Sequence, residues 1–186
     1  MRNDLKNLKI ENTFILGIDL EGMNENLQDN GVNVQIDRVI EIGAVLWDDL
    51  RKQPVKIFSE LIDEKDRLPI SQEVQEITGI DDNILKEWGS KDEEIKKILE
   101  SFITLAERAN YYMAHNAKGY DKPMLEALLQ RFGLELPKKT WIDTETDIEY
   151  PRIMKARSLA GLEHSHGFIN PFPHRAVTDV LSMLKI

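Results

Sequence analysis

Cysteine is absent from the 186 residues, which removes any disulfide framework and any thiolate metal site. Missing too is a run of about 18 consecutive apolar residues of the kind that spans a bilayer. The N-terminal stretch MRNDLKNLKIENT lacks the apolar core of a secretory signal, so the expectation is a cytoplasmic protein with no membrane partner. Positive charge is scarce: 24 Lys and Arg stand against 33 Asp and Glu, a formal net charge of −9. Proteins that hold long duplexes through phosphates present a basic field, and this balance argues against an architectural DNA binder. An enzyme that screens its carboxylates with bound cations and meets a short strand end with a few local Lys and Arg remains open. No linker-like stretch, internal repeat or low-complexity tract divides the chain, and its length suffices for one sizeable core. A single domain over residues 1–186 is expected, with 1–12 as an N-terminal extension.

Three segments rich in strand formers come first: 13–19 (TFILGID), 38–47 (RVIEIGAVLW) and 55–62 (VKIFSELI). Consecutive strands of this kind predict an antiparallel meander, with a long polar loop over 22–37 between the first two. Ser90 and Glu93 have the spacing of a capping box, and Ile95, Ile98, Leu99, Phe102 and Ala106 then recur along one helical face. Residues 111–114 predict a short buried strand. Met124, Leu125, Leu128, Leu129 and Phe132 follow at helical spacing, opened by Pro123 and closed by Gly133. A last strand at 140–143, a short helix at 158–164 and a C-terminal stripe of Ala176, Val177, Val180, Leu181 and Leu184 complete the order βββαβαβαα, an α/β mixed sheet covered by helices.

Three places carry chemistry. Asp19 and Glu21 are two apart where the first strand ends, so both side chains point to one face. Like charges held that close raise each other's pKa unless a cation lies between them; the plain alternative is that the strand has ended and both acids are solvated. AHNAKGYDKPML, residues 114–125, puts His115, Asn116 and Asp121 at a strand-to-helix junction, a position that points side chains into a crevice at the sheet's edge. Asp121 could equally be an ordinary N-cap. PFPHRAVTD, residues 171–179, sets His174 after two prolines and Asp179 inside the last helix. Five helical positions rotate by roughly 140°, so His174 belongs to the loop, free to swing over a site, while Asp179 lies at the edge of the apolar stripe. Four carboxylates and no cysteine favour Mg²⁺ or Mn²⁺. Two such ions about 3.5–4 Å apart activate water and stabilise the leaving oxygen of a phosphodiester, and a histidine takes up a proton near neutral pH. Lys118, Lys122, Arg152, Lys155, Arg157 and Arg175 flank these motifs and are candidates for phosphate contacts, or ordinary solubilising charge.

In this order the motifs resemble the DEDDh subgroup of 3′→5′ exonucleases, which includes polymerase proofreading subunits, ribonuclease T and oligoribonucleases. IDLEG is similar to the first motif of that family, AHNAKGYDKPML to the second and HRAVTD to the third. RVIEIGAV resembles its second strand, ITGIDDNIL the segment after the third, and SLAGL its late helix. The resemblance implies a ribonuclease H-like fold with a five-stranded mixed sheet flanked by helices. It also implies two metal ions held by Asp19, Glu21, Asp121 and Asp179, with His174 as general base. Leu20, Gly22 and Met23 would cradle the terminal nucleotide through their backbone, and His115 and Asn116 would lie along the substrate path. The implied activity is metal-dependent release of nucleoside monophosphates from single-stranded 3′ ends, DNA preferred. An oligoribonuclease-like enzyme and an idle nucleic-acid-binding module are the alternatives, and a DNA polymerase is an implied partner, in replication or repair. The sequence departs from the family pattern at Gly22, where many members carry a threonine that meets the terminal 3′-hydroxyl. The 22–37 loop is longer than usual, and the His115 to Asp121 spacing is one residue wider.

Overall fold

The computed structural model describes residues 13–23, 32–151 and 156–186; the expected N-terminal extension lies outside them. Strands β1 (Phe14–Met23), β2 (Arg38–Asp48) and β3 (Gln53–Leu61) form the antiparallel meander. Strands β4 (Tyr111–Ala114) and β5 (Thr140–Asp143) are added in parallel on the far side of β1, so the sheet runs β3-β2-β1-β4-β5 with β1 at its centre. Parallel neighbours need crossovers. The first contains α1 (Gln72–Thr78), α2 (Asp82–Trp88) and α3 (Asp92–Glu107), the second α4 (Asp121–Arg131). The short α5 (Leu159–Ser165) and α6 (Ala176–Lys185) follow β5. This is the α/β arrangement of five mixed strands flanked by helices that the motifs imply.

The two-residue period of β1 divides the molecule. Leu16, Ile18 and Leu20 enter the main core with Leu99 and Phe102 of α3 and Leu125 and Leu128 of α4. The alternate positions, Gly17, Asp19 and Glu21, face α6. A Cβ on Gly17 would stand 2.8 Å from Val180 Cγ1, and one on Gly43 of β2 would strike the backbone of Ala176 and Val177. These glycines let α6 lie directly on the two strands, as close backbone approach requires. On the opposite flank β3 is the outer strand, and Val55 and Ile57 are 53% and 51% exposed.

Several expectations are corrected. β1 does not end at Asp19: it continues to Met23, pairing Asp19 with Gly43 and Glu21 with Glu41, and breaks register only between Glu21 and Gly22. The capping box does not form. α3 starts at Asp92 after Lys91, with no side-chain cap. Ser90 instead extends the sheet, its amide donating to Leu61 O and its carbonyl accepting from Asp63, each at 2.9 Å. Helices α1 and α2 were not expected from periodicity, since seven residues are too few to show a full apolar stripe. Their N-caps are nevertheless ordinary, Ser71 and Asp81 accepting from the amides of Val74 and Ile84. Gly133 closes α4 as expected, in the left-handed region at φ 71°, while Leu134 N donates to Leu129 O at 2.9 Å.

A buried ionic knot ties the meander to α4. Glu64, after β3, accepts from Arg131 Nε and Nη2 at 2.6 Å each, with Arg38 Nε 3.9 Å away and Arg38 held in turn by Asp66. Among the described residues no helix is long and apolar enough to cross a membrane.

Candidate active site

Strand β1 delivers two of the acids. Asp19 and Glu21 share the α6 face, two rungs apart and flanked on β2 by Gly43 and Glu41. Asp121 reaches the same place from α4. It is only 1% exposed, and it does not cap the helix, whose N-cap is Tyr120 with no side-chain bond. Its Oδ1 accepts instead from the amide of Leu20 at 3.1 Å, tying α4 to β1 between the two acids. The N-cap reading of Asp121 is thereby overturned: the carboxylate is bonded across 101 residues rather than to its own first turn.

Asp179 and His174 come from the other side. Asp179 sits in the first turn of α6, and both its oxygens are engaged. Oδ1 accepts from Asn170 Nδ2 at 2.5 Å, and Oδ2 accepts from the amide of His174 at 3.0 Å. That second bond folds the chain back so that His174 stands in a turn before the helix, in the left-handed region at φ 59°, with its ring exposed. Ligand atoms of Glu21, His174 and Asp179 all lie within 4.8 Å of one another.

The acids disturb one another. Burial, then the charges of Asp121, Glu21, Asp179 and Glu41, push the Asp19 carboxyl well above the ordinary carboxylate range. Burial, reinforced by Asp179 and Glu41 and opposed by Arg175, raises Glu21 to about 8. Burial also raises Asp179 to about 6 against the pull of the His174 amide, and raises Asp121 against the hydrogen bond from Leu20. So many carboxyl groups cannot all ionise at neutral pH without a compensating positive charge. The donors present, carboxylate oxygens with one imidazole, fit a hard divalent cation.

The neighbouring residues take varied parts. The side chain of Leu20 is buried in the core and its amide is committed to Asp121. Met23 packs into a second cluster with Ile40, Ile70 and Val74. Above Gly22 lies the Tyr120 hydroxyl, in the space a side chain there would need. His115 Nδ1 pairs with Thr144 Oγ1 at 2.9 Å, and burial lowers its pKa; Asn116 is exposed, at φ 60°. Of the flanking cations, Arg175 is bound to Glu41, Lys118 to Asp147, and Arg157 lies over the Tyr150 ring. Arg152 and Lys155 lie outside the described residues.

Four supporting residues escape the sequence reading. Glu41 grips Arg175, Asn170 holds Asp179, and Glu163 accepts from the Asn170 amide at 3.3 Å. Buried Asp143 accepts from the amides of Asn116, Lys118 and Glu145 and so shapes the turn into α4. Only Glu41 leaves a signal, as a lone acid inside the apolar run RVIEIGAV.

Comparison with known proteins bears on the family and the fold. The family model RNase_T, described as an exonuclease, matches residues 18–186. The PolC-type DNA polymerase III of Thermotoga petrophila is 29% identical over 180 residues, and the chain spans 96% of its own length but 12% of that relative. Among solved structures, the nuclease domain of 3′hExo, a DEDDh family member bound to rAMP, superposes with a TM-score of 0.72 at 16% identity. That match covers 95% of this chain and 90% of the other. The zinc-bound complex of E. coli exonuclease I with single-stranded DNA gives 0.73 at 15% identity, covering 93% of this chain and 39% of that one. With a family model that matches it from residue 18 to residue 186, the chain belongs to the RNase_T exonuclease family.

Proposed function

We propose that this chain shortens single-stranded nucleic acid from its 3′ end, releasing one nucleoside 5′-monophosphate at a time, with DNA as the preferred strand. The observation that carries the reading is the meeting of Glu21, Asp179 and His174 within 4.8 Å, in the field that Asp19 and Asp121 share. Asp19, Glu21, Asp121 and Asp179 would hold the cations, two Mg²⁺ or Mn²⁺, whose chemistry is to activate water and neutralise charge on the leaving oxygen. His174 accepts the proton of the attacking water on its ring, and its exposure lets that proton pass on to solvent. The water oxygen joins phosphorus, the bond from phosphorus to the penultimate 3′-oxygen breaks, that oxygen takes a proton from solvent to become the new 3′-hydroxyl, and the strand departs one nucleotide shorter. The backbone of Leu20, Gly22 and Met23 lines the terminal nucleotide, and His115 and Asn116 flank the strand.

The DNA preference is supported by the likeness to a PolC-type DNA polymerase III and to exonuclease I in complex with single-stranded DNA. Association with a DNA polymerase, in replication or repair, and a cytoplasmic location belong to the same reading. End-labelled DNA and RNA oligonucleotides, incubated with Mg²⁺, Mn²⁺ or EDTA, test it. Stepwise shortening of DNA from the 3′ end is expected only with metal. Faster loss of short RNA would transfer the preference to an oligoribonuclease-like role, and internal cuts would end the proposal. Asp19→Asn should abolish cleavage while leaving the melting curve cooperative; undiminished activity would remove Asp19 from the site.

A further inference from the structure

We infer that Glu41, acting through Arg175, is a positioning residue for His174, hooking the first turn of α6 onto β2 and so setting where the histidine turn stands. The inference rests on the catalytic role proposed for His174. Glu41 is 1% exposed and projects from β2 directly opposite Glu21. Its carboxylate accepts from Arg175 Nε at 3.2 and 3.1 Å, from Arg175 Nη2 at 2.8 Å and from the amide of Ala176 at 3.1 Å. A forked guanidinium on a carboxylate fixes orientation as well as distance. Two residues along the strand, Gly43 leaves no room between β2 and the backbone of Ala176 and Val177. The helix is thus held at two points on one strand face, sterically at Gly43 and by hydrogen bonds at Glu41.

The chain between these fixed points and the acids is short. Arg175 is the N-cap of α6, and His174 is its immediate neighbour in a left-handed conformation that tolerates little adjustment. From the helix side the His174 amide is bonded to Asp179. Among the described residues the strand-side hydrogen bonds to this turn come from Glu41 alone. Without them the turn keeps its bonds to α6, from the His174 amide to Asp179 and from Thr178 Oγ1 to the carbonyls of Phe172 and Arg175, but loses its anchor to the strand that carries it beside Glu21.

A double-mutant cycle tests this. Glu41→Ala should lower the single-turnover cleavage rate at least tenfold while leaving KM within about twofold. Added to His174→Ala, the same change should lower the rate no further, because the group it positions is gone. Glu41→Gln, which keeps an acceptor for Ala176, should recover most of the loss. Histidine ring NMR gives a readout independent of rate: the resonance lost in His174→Ala should shift or broaden in Glu41→Ala. Additive effects in the cycle or an unmoved His174 resonance would each overturn the assignment. Failure of wild type to shorten any oligonucleotide would instead reject the nuclease reading, leaving the NMR comparison to judge the hook itself.

Discussion

Gly22 and Tyr120 occupy one space between them. The tyrosine ring packs against the main core, and its hydroxyl stands where a side chain on Gly22 would begin. Gly22→Ala should therefore overpack the junction of β1 and α4, at a cost of about 1–3 kcal/mol, and Tyr120→Phe in the same chain should recover part of it. Thermal melts of wild type and the two variants read this directly, and an unchanged melting temperature for Gly22→Ala alone would refute the steric pairing. The acids make a second prediction. Glu21 titrates at about 8 in the folded chain against an ordinary 4.5, and Asp179 at about 6 against 3.8. Within those windows the folded state binds protons that the unfolded state has released. This stabilising effect is whole below the unfolded values and is lost as pH rises through the folded ones. In EDTA the melting temperature should fall between pH 5 and pH 8, and Mn²⁺ should raise it more at pH 8 than at pH 5. A metal-free protein that grows more stable across that interval would contradict the raised carboxyls.

Elements differ in how much of them the sequence announces. The long strands and the long helices are legible because each repeats its apolar positions often enough to show a period: Ile95, Leu99 and Phe102 on α3, or Leu16, Ile18 and Leu20 on β1. Asp19 and Glu21 stand out because alternation places both on one face. The hydrogen-bonded partners do not, since Glu41 and Arg175 meet across 134 residues and no local spacing records the encounter. Ser90 misleads for a physical reason: its side chain suits a cap, but its backbone is claimed by the strand end at Leu61 and Asp63. α6 deserves a test as a unit, because it brings Asp179 and the histidine turn together. Gly43→Ala would push against the backbone of Ala176 and Val177, which cannot rotate away as a side chain would. The helix should lift, with about 1–3 kcal/mol lost in urea melts and cleavage reduced by more than the unfolded fraction explains. Full activity with an unchanged urea midpoint would show that α6 is not seated on this glycine.

At the scale of the whole molecule, the acids sit toward the C-terminal end of the central strand, and a separate ionic lock gathers at the start of β2, whose Arg38 pairs with Met23. Arg131 on α4, Arg38 at the start of β2 and Glu64 beyond β3 draw three distant parts of the chain to one carboxylate. Removing that carboxylate leaves two largely enclosed arginines without it, a class of change that costs about 3–5 kcal/mol. Glu64→Ala should lower the denaturant midpoint accordingly and leave the cleavage rate of the folded fraction intact. A loss below about 1 kcal/mol would mean that solvent replaces the lock. The net charge of −9 gives the chain no overall basic field, in keeping with the proposed action on strand ends rather than on wrapped duplexes. The outer strand has a different consequence. Among the described residues β3 leaves one row of peptide groups without a neighbouring strand, and Val55 and Ile57 present greasy surface to water beside it. Such a rim can recruit further extended chains; the exposed ammonium of Lys56, lying between those two side chains in sequence, is the kind of charge that opposes such zipping.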